Sequence, residues 1–340
     1  MFLLVVWLNR NSDDIILLMK FSKIFDFFPP PKFLNLPFVG VSISDSAVRC
    51  IQFGKKDGGL HIEKYTERKI NPGVVIAGNI NNKEELKHIL TELKKDLKLE
   101  YVRVSLPEEK AYLFTAKIPI VKNSEIKGVV ESKIEENVPI PGAELIFDYR
   151  VIDHRKRNHL DLVVSSFPIS FIDLYLEIMR DSGLSLLSLE IESQAIARAV
   201  LPQGDLGTSL IVNFGQEKVG LYVASEGVVR FTSTVSLKGS IDENSSYLSQ
   251  EIKKLHTYWH TLKDNIDRPE KKLSQVILCG ESWSDNITSY LGAYIKTPIV
   301  VGNVWTNVFD INDVVPDMAF ADSLKYATAV GLALPSETLI

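Results

Sequence analysis

The sequence predicts an α/β protein built from two similar halves. A run of three strands joined by tight turns occurs near 38–69 and again at 208–237, each followed by an amphipathic helix and a further apolar strand. A stretch of different rhythm, 107–185, interrupts the first half as an α+β insert. At 340 residues the chain is long enough for two domains, each with its own core. Its 45% hydrophobic and 24% charged residues are the composition of a folded soluble protein.

The elements follow in order. "MFLLVVWL" is too short to span a bilayer, which takes ~20 apolar residues, and no small-residue cleavage site follows it. Residues 1–18 are therefore expected to be an upstream extension of the reading frame, with Met19 as the native start. No other stretch approaches a transmembrane span, so membrane attachment is expected through a partner. Pro29-Pro30-Pro31 cannot continue a helix and closes an extended lead-in, 1–37 in all. Strands are expected near 38–43, 47–54 and 60–69, with Asp57-Gly58-Gly59 as a hairpin turn. In "NNKEELKHILTELKKDLKL", Leu86, Ile89, Leu90, Leu93 and Leu97 share one helical face, and Asn82 with Glu85 forms a capping-box start. The strand Val102 to Leu106, closed by Pro107, completes one half of a ribonuclease-H-like unit.

The insert reads as a strand ("AYLFTAKIPI"), a helix ("NSEIKGVVESKIEENV"), a strand pair, and a second helix ended by Gly183. "LSLLSLEIESQAIARAVL" returns as strand and helix, placing 38–106 and 186–207 in one domain. From 208 to 320 the opening pattern repeats: three strands, the helix "YLSQEIKKLHTYWHTL", the strand "QVILCGES" and the helix "SDNITSYLGAYI". A small-residue helix, 321–334, rejoins the first domain.

Charge and side-chain chemistry exclude several functions. A net charge of −5 and a pI near 5.8 argue against a nucleic-acid surface. The basic cluster His154-Arg155-Lys156-Arg157 reads as a solvated hairpin tip, and the acid pairs Glu108-Glu109 and Glu135-Glu136 as solvated charge. Cys50 and Cys279 lie in apolar strands and read as buried free thiols of a reducing cytosol. His256 and His260 have the i, i+4 spacing of a zinc pair but no third ligand or glutamate base, so they read as ordinary helix-surface histidines. No metal site and no catalytic Ser/His/Asp or Cys/His arrangement emerges from spacing.

Two similar halves, each opening on a hairpin whose turn points into a shared cleft, resemble the actin and sugar-kinase superfamily. "GVSISDSAVRCIQF", "VESKIEENVPIPGAELIFDYRVID", "LEIESQAIARAV", "GVVRFTSTVSL", "VILCGES" and "YATAVGLAL" are similar, in order over roughly 38–334, to the type IV pilus assembly protein PilM family, relatives of the division protein FtsA. "FFPPPKFLNLP" also resembles a lead-in of some members. The resemblance implies an actin-like ATPase fold in which 107–185 is subdomain 1C, the flanking first domain is subdomain 1A, and subdomain 2B is shortened around 238–272.

It also implies a nucleotide site, and here the chain departs from the pattern. The family's first phosphate loop usually reads Gly-x-Asp-Ile-Gly-x-x-Ser-Val-Lys. Gly40, Ile43, Ser46 or Ala47, Val48 and Arg49 keep its frame, but Ser42 stands at the acid and Ser44 at the second glycine. That acid organises the water shell of Mg²⁺, and a serine supplies no charge. Asp45 is expected to point elsewhere. The second loop, usually Asp-Ile-Gly-x-x-x-Thr, is Asn213-Phe214-Gly215-Gln216-Glu217-Lys218-Val219. It has lost the charge and the hydroxyl, and Lys218 reads as a solvated turn lysine ahead of a phosphate contact. At the adenosine turn, usually Gly-Gly, Gly280 is followed by Glu281. The degenerate nucleotide site is thus Ser42, Ser44, Asp45, Ser46, Asn213, Gly215, Gln216, Lys218, Gly280 and Glu281. Phosphoryl transfer depends on positioning and metal-based charge stabilisation. The expectation is a pseudo-ATPase without significant turnover, binding ATP and Mg²⁺ weakly or not at all.

The function so implied is a cytoplasmic adaptor of a type IV pilus or related secretion platform. It grips the N-terminal tail of the inner-membrane protein PilN and couples to the motor ATPases, with self-association an open partner choice. The tail is expected in a groove between subdomains 1A and 1C, along 125–152, at Ile126, Val130, Ile134, Val138, Pro139, Ile140 and Pro141, with much of the helical stripe serving as core. The alternatives are an ATP-binding actin-like protein with nucleotide-regulated partner binding, and an FtsA-like division tether. The latter needs a C-terminal amphipathic membrane helix, and "GLALPSETLI" supplies none.

Overall fold

The computed structural model describes residues 37–56, 59–152, 159–263, 265–266, 268–309 and 316–335. The expectations for the extension and Met19, the Pro-rich lead-in, the Asp57-Gly58 turn and the basic cluster at 154–157 lie outside these residues.

The first half opens with β1 (Phe38–Ile43), β2 (Ala47–Lys56) and β3 (Gly59–Lys69), an antiparallel meander. A two-stranded ribbon, β4 (Val75–Ile76) and β5 (Asn79–Ile80), precedes α1 (Lys83–Leu97) and β6 (Tyr101–Leu106), which runs parallel to β1. Asn82 caps α1 by accepting from the Glu85 N–H at 3.1 Å. The reciprocal arm of a capping box is absent, because the Asn82 N–H donates to the Val74 carbonyl. Leu86, Leu90 and Leu93 are buried, with Ile89 and Leu97 packed at the rim, as the helical spacing predicts.

The insert contains β7 (Tyr112–Pro119), α2 (Asn123–Asn137), β8 (Leu145–Ile152) and β9 (His159–Pro168), forming a three-stranded sheet of order β7-β9-β8 with α2 packed across it. Next comes α3 (Ile169–Asp181), then β10 (Ser185–Ile191), parallel to β6, and α4 (Glu192–Val200). The sequence reading places α3 in the insert. Its Ile172, Tyr175, Ile178 and Met179 instead complete the core beneath the first sheet, beside α1. Polarity alone cannot tell which of two neighbouring cores an amphipathic helix will cover.

The second half repeats the plan with β11 (Thr208–Phe214), β12 (Lys218–Ser225), β13 (Val228–Ser236), α5 (Ser245–Thr261), β14 (Gln275–Gly280), α6 (Asp285–Tyr294) and β15 (Ile299–Val301). The two five-stranded sheets have the same order, β3-β2-β1-β6-β10 and β13-β12-β11-β14-β15, with the same strand directions. This is the duplicated ribonuclease-H-like architecture of the actin-like fold. The C-terminal small-residue run is broken into α7 (Phe320–Ser323), a 3₁₀ turn and α8 (Ala327–Ala333).

Each sheet is covered on its outer face, by α1 and α3 in the first half and by α5 and α6 in the second. Between the halves lie α4 and α8, in a core that takes Ile51 from one sheet and Tyr222 and Ile277 from the other. Small residues allow this close approach. A Cβ on Gly331 would overlap the Ala195 carbonyl, and one on Gly40 would strike the Ala329 carbonyl oxygen and lie 2.7 Å from the Ala333 nitrogen. Gly40 is thus required by the crossing of α8 over β1. His256 and His260 prove structural. The two His260 ring nitrogens meet the His256 carbonyl at 2.7 Å and the Leu273 N–H at 3.2 Å. No helix of the described residues is long and apolar enough to cross a membrane.

Candidate functional site

The two hairpin turns that open the halves face each other across a cleft of about 460 Å³. They are built alike. Ser44 N–H closes on the Ala47 carbonyl at 3.0 Å, and Gly215 N–H closes on the Lys218 carbonyl at 2.9 Å. The last strand pairs are Ile43 with Val48 and Phe214 with Val219. This common register makes Ser42 the counterpart of Asn213 and Ser44 the counterpart of Gly215. The cleft brings together Ser42, Ser44, Asp45, Ser46, Asn213, Gly215, Gln216, Lys218, Gly280 and Glu281, so the sequence-selected set forms one site.

Inside the first turn, the Ser44 hydroxyl accepts from the Ala47 N–H at 3.1 Å and the Ser46 N–H at 3.3 Å. Those are donors that a phosphate loop turns toward its ligand, and here a side chain has taken them. Asp45 points away from any metal role. Its carboxylate accepts from the N–H groups of Ala77 at 3.0 Å and Gly78 at 3.3 Å, tying the β4–β5 turn to the hairpin. Asn213 donates to Glu192 at 3.2 Å, where an aspartate would repel it. Gly280 keeps its backbone role at φ +107°, with a Cβ there running into the Phe214 backbone.

Two ionic bridges cross the cleft. From the second half, the Glu281 carboxylate accepts from the Ser46 hydroxyl at 2.8 Å to each oxygen and from the Arg49 guanidinium. Arg49 is buried, and its other donor meets Glu67 at 2.9 Å, which in turn takes Lys325 at 2.8 Å. Burial opposes the Glu67 charge, but Lys325 and Arg49 outweigh it and lower its pKa. In the other direction Lys218 reaches from the second hairpin to Glu109, with Asp45 at 3.9 Å. Burial works against the Lys218 charge, and the carboxylates of Glu192, Glu109 and Asp45 overcome it, raising its pKa.

Lys218 is therefore neither a solvated turn lysine nor a free phosphate ligand. The acid pair on the following loop also differs from expectation. Glu108 is buried with a carboxylate oxygen 3.2 Å from the Ser193 N–H, and Glu109 is the Lys218 partner. Burial pushes the Glu108 carboxyl up to about 7 and raises that of Glu192. Glu192 lies in the quoted segment "LEIESQAIARAV" but was not singled out, although an acid opening a helix directly after an apolar strand is a signal that could have found it. Tyr222, buried over Gly220, is a further wall residue that the alternation of β12 did not mark.

These residues do not fit a Mg-nucleotide. A triphosphate in the cleft would face the carboxylates of Glu281, Glu109, Asp45 and Glu192, while Arg49, Lys218 and Lys325 are already paired. Lys69 stands exposed at the rim. Among the described residues no group of three or more His, Cys, Asp or Glu is arranged to hold a metal ion.

The region expected to hold a partner's tail divides in two. Ile126, Val130, Ile134 and Val138 are buried in the core of the three-stranded sheet and offer no side chain to a partner, which corrects their assignment to a groove. The i, i+4 stripe marks a face that must be covered, and β7 and β8 of the same insert already cover it. Pro139 and Pro141 are exposed and Ile140 is half-buried. A 3₁₀ turn, Gly142–Glu144, joins them to β8, which among the described residues pairs with β9 on one edge and with no strand on the other.

A family model described as type IV pilus assembly protein PilM matches residues 40–245. Among solved structures, a chain of a PilM–PilN type IV pilus biogenesis complex superposes with a TM-score of 0.73 at 17% identity, over 88% of this chain and 98% of that one. The ethanolamine utilization protein EutJ from Carboxydothermus hydrogenoformans gives a TM-score of 0.48 at 14% identity, over 90% of each chain. The cytoplasmic domain of EpsL, an inner-membrane component of the Vibrio cholerae type II secretion system, gives 0.46 at 11% identity, over 81% of this chain and all of that one (100%).

Proposed function

The chain belongs to the type IV pilus assembly protein PilM family, and from that premise we propose that it is a non-catalytic scaffold of the pilus platform. It works on the cytoplasmic face of the inner membrane and grips the N-terminal tail of a PilN-like membrane protein. The partner class follows the similar chain, which is part of a complex with PilN. The observation that carries the non-catalytic part is the Glu281 carboxylate, held by Ser46 and Arg49 across the cleft that a nucleotide would need. A carboxylate there repels phosphate, and the missing acid at Ser42 and Asn213 removes the means to hold Mg²⁺.

The open edge of β8, beside the accessible Pro139-Ile140-Pro141, supports the tail's place. An extended peptide gains main-chain hydrogen bonds from an unpaired strand edge and side-chain contacts from a neighbouring apolar rim. In this reading the chain reaches the membrane through its partner, and contacts with the motor ATPases belong to the assembled platform. The test is fluorescence anisotropy with a labelled peptide, the cytoplasmic N-terminus of the PilN-like membrane protein from the same source. Saturable binding, weakened at least tenfold by Ile140→Asp, is expected. No binding, or Mg-ATP turnover by the purified protein, contradicts the proposal.

A further inference from the structure

We propose that Ser46 and Arg49 form a working oxyanion site and that Glu281 is its resident ligand, a built-in anion that closes the cleft in place of a nucleotide phosphate. The proposal rests on the reading of the cleft as catalytically silent and assigns a role to the bridge that crosses its mouth, beyond the apolar core shared by the halves.

The geometry is that of a ligand held by a site. Both Glu281 oxygens accept from the Ser46 hydroxyl at 2.8 Å, and one also accepts from Arg49. Arg49 is 5% exposed, and its Nε donates to Glu67 at 2.9 Å, which orients the guanidinium. Ser46 is fixed too, since its N–H donates to Ser44 at 3.3 Å and the two hydroxyls lie 3.0 Å apart. One guanidinium nitrogen and a hydroxyl converging on the same carboxylate would suit another oxyanion, carboxylate or phosphate alike.

The ligand and the site come from opposite halves. Ser46 and Arg49 lie on the β1–β2 hairpin, whereas Glu281 follows β14 directly, where Gly280 brings the chain against β11. Their union therefore closes the cleft. The second crossing, Lys218 with Glu109 and Asp45, has the opposite polarity, with the cation on the second half and the acids on the first. Together they give the cleft its own anion and its own cation. A buried charge left without its partner is costly, so parting the halves exposes both pairs at once.

The test is chemical rescue. Glu281→Ala should unfold at a midpoint lowered by roughly 4 °C or more, and hydrogen exchange at Ser46, Ala47 and Ser282 should speed up at least tenfold. Inorganic phosphate at tens of millimolar, at constant ionic strength, should restore both readouts in the variant and leave wild type unchanged. Should Glu281→Ala not fold, Glu281→Gln keeps the side chain's shape without its charge and is expected to show a smaller loss with the same rescue. An unchanged midpoint and exchange rate in Glu281→Ala, or a loss that phosphate does not restore, overturns the proposal and leaves the silent-cleft reading intact. Mg-ATP raising the wild-type midpoint overturns that underlying reading, because nucleotide would then be displacing Glu281.

Discussion

Replacing Glu108 by Gln should make the protein more stable above neutral pH and change little in mild acid. Glu108 is 6% exposed, and burial moves its carboxyl from an ordinary 4.5 up to about 7. The Ser193 side chain lowers it, nearby Glu192 raises it, and the Thr232 side chain and the Ser193 N–H lower it further, each by less than burial. An acid whose folded pKa is raised binds more protons folded than unfolded between those two values. Stability from this group is therefore lost as pH rises from about 4.5 to 7, and the loss is complete above 7. A gap of about 2.5 pH units, at ~1.4 kcal/mol each, is about 3.5 kcal/mol. Gln retains the carbonyl that accepts from Ser193 and never ionises, so the variant lacks this slope. Urea unfolding across a pH series should show the two proteins within about 1 kcal/mol of each other near pH 5 and separated by as much as about 3.5 kcal/mol at pH 8, the variant being the more stable. Parallel stability curves would refute the claim that burial raises the Glu108 pKa.

Two further outcomes follow from packing. Gly40→Ala drives a methyl group into the Ala329 carbonyl oxygen on α8, a backbone atom that cannot step aside, and should cost about 3 kcal/mol or prevent folding, read by circular dichroism on heating. Cys50 and Cys279 are fully buried. Burial pushes the Cys50 thiol up to about 12 and raises that of Cys279, so a disulfide reagent should leave both unmodified in the native state and label both in denaturant.

What the sequence made legible is the periodic and the local. The two hairpins, the apolar face of α1 and the loss of acids at Ser42 and Asn213 are readable because strand alternation, helical spacing and motif position are properties of neighbouring residues. Glu108, Glu109 and Lys218 were misjudged for the opposite reason. Each looks like a solvated charge in its own segment, and only the approach of the two halves buries it beside a residue a hundred positions away. The stripe of Ile126, Val130 and Ile134 was read correctly as a helical face, but a face pattern does not say whether the chain's own strands or a partner cover it. Glu281 lies between these cases. Sequence showed a carboxylate where the family carries glycine, and the fold supplied its partners, Ser46 and Arg49.

The central claim is a scaffold that binds a membrane protein's tail without help from nucleotide. Its most direct test is calorimetric titration of the N-terminal tail peptide of a PilN-like protein from the same source into the full chain, with and without saturating Mg-ATP. The same affinity in both titrations, and no heat from Mg-ATP alone, is expected. Tail binding that appears or strengthens only with Mg-ATP would contradict it.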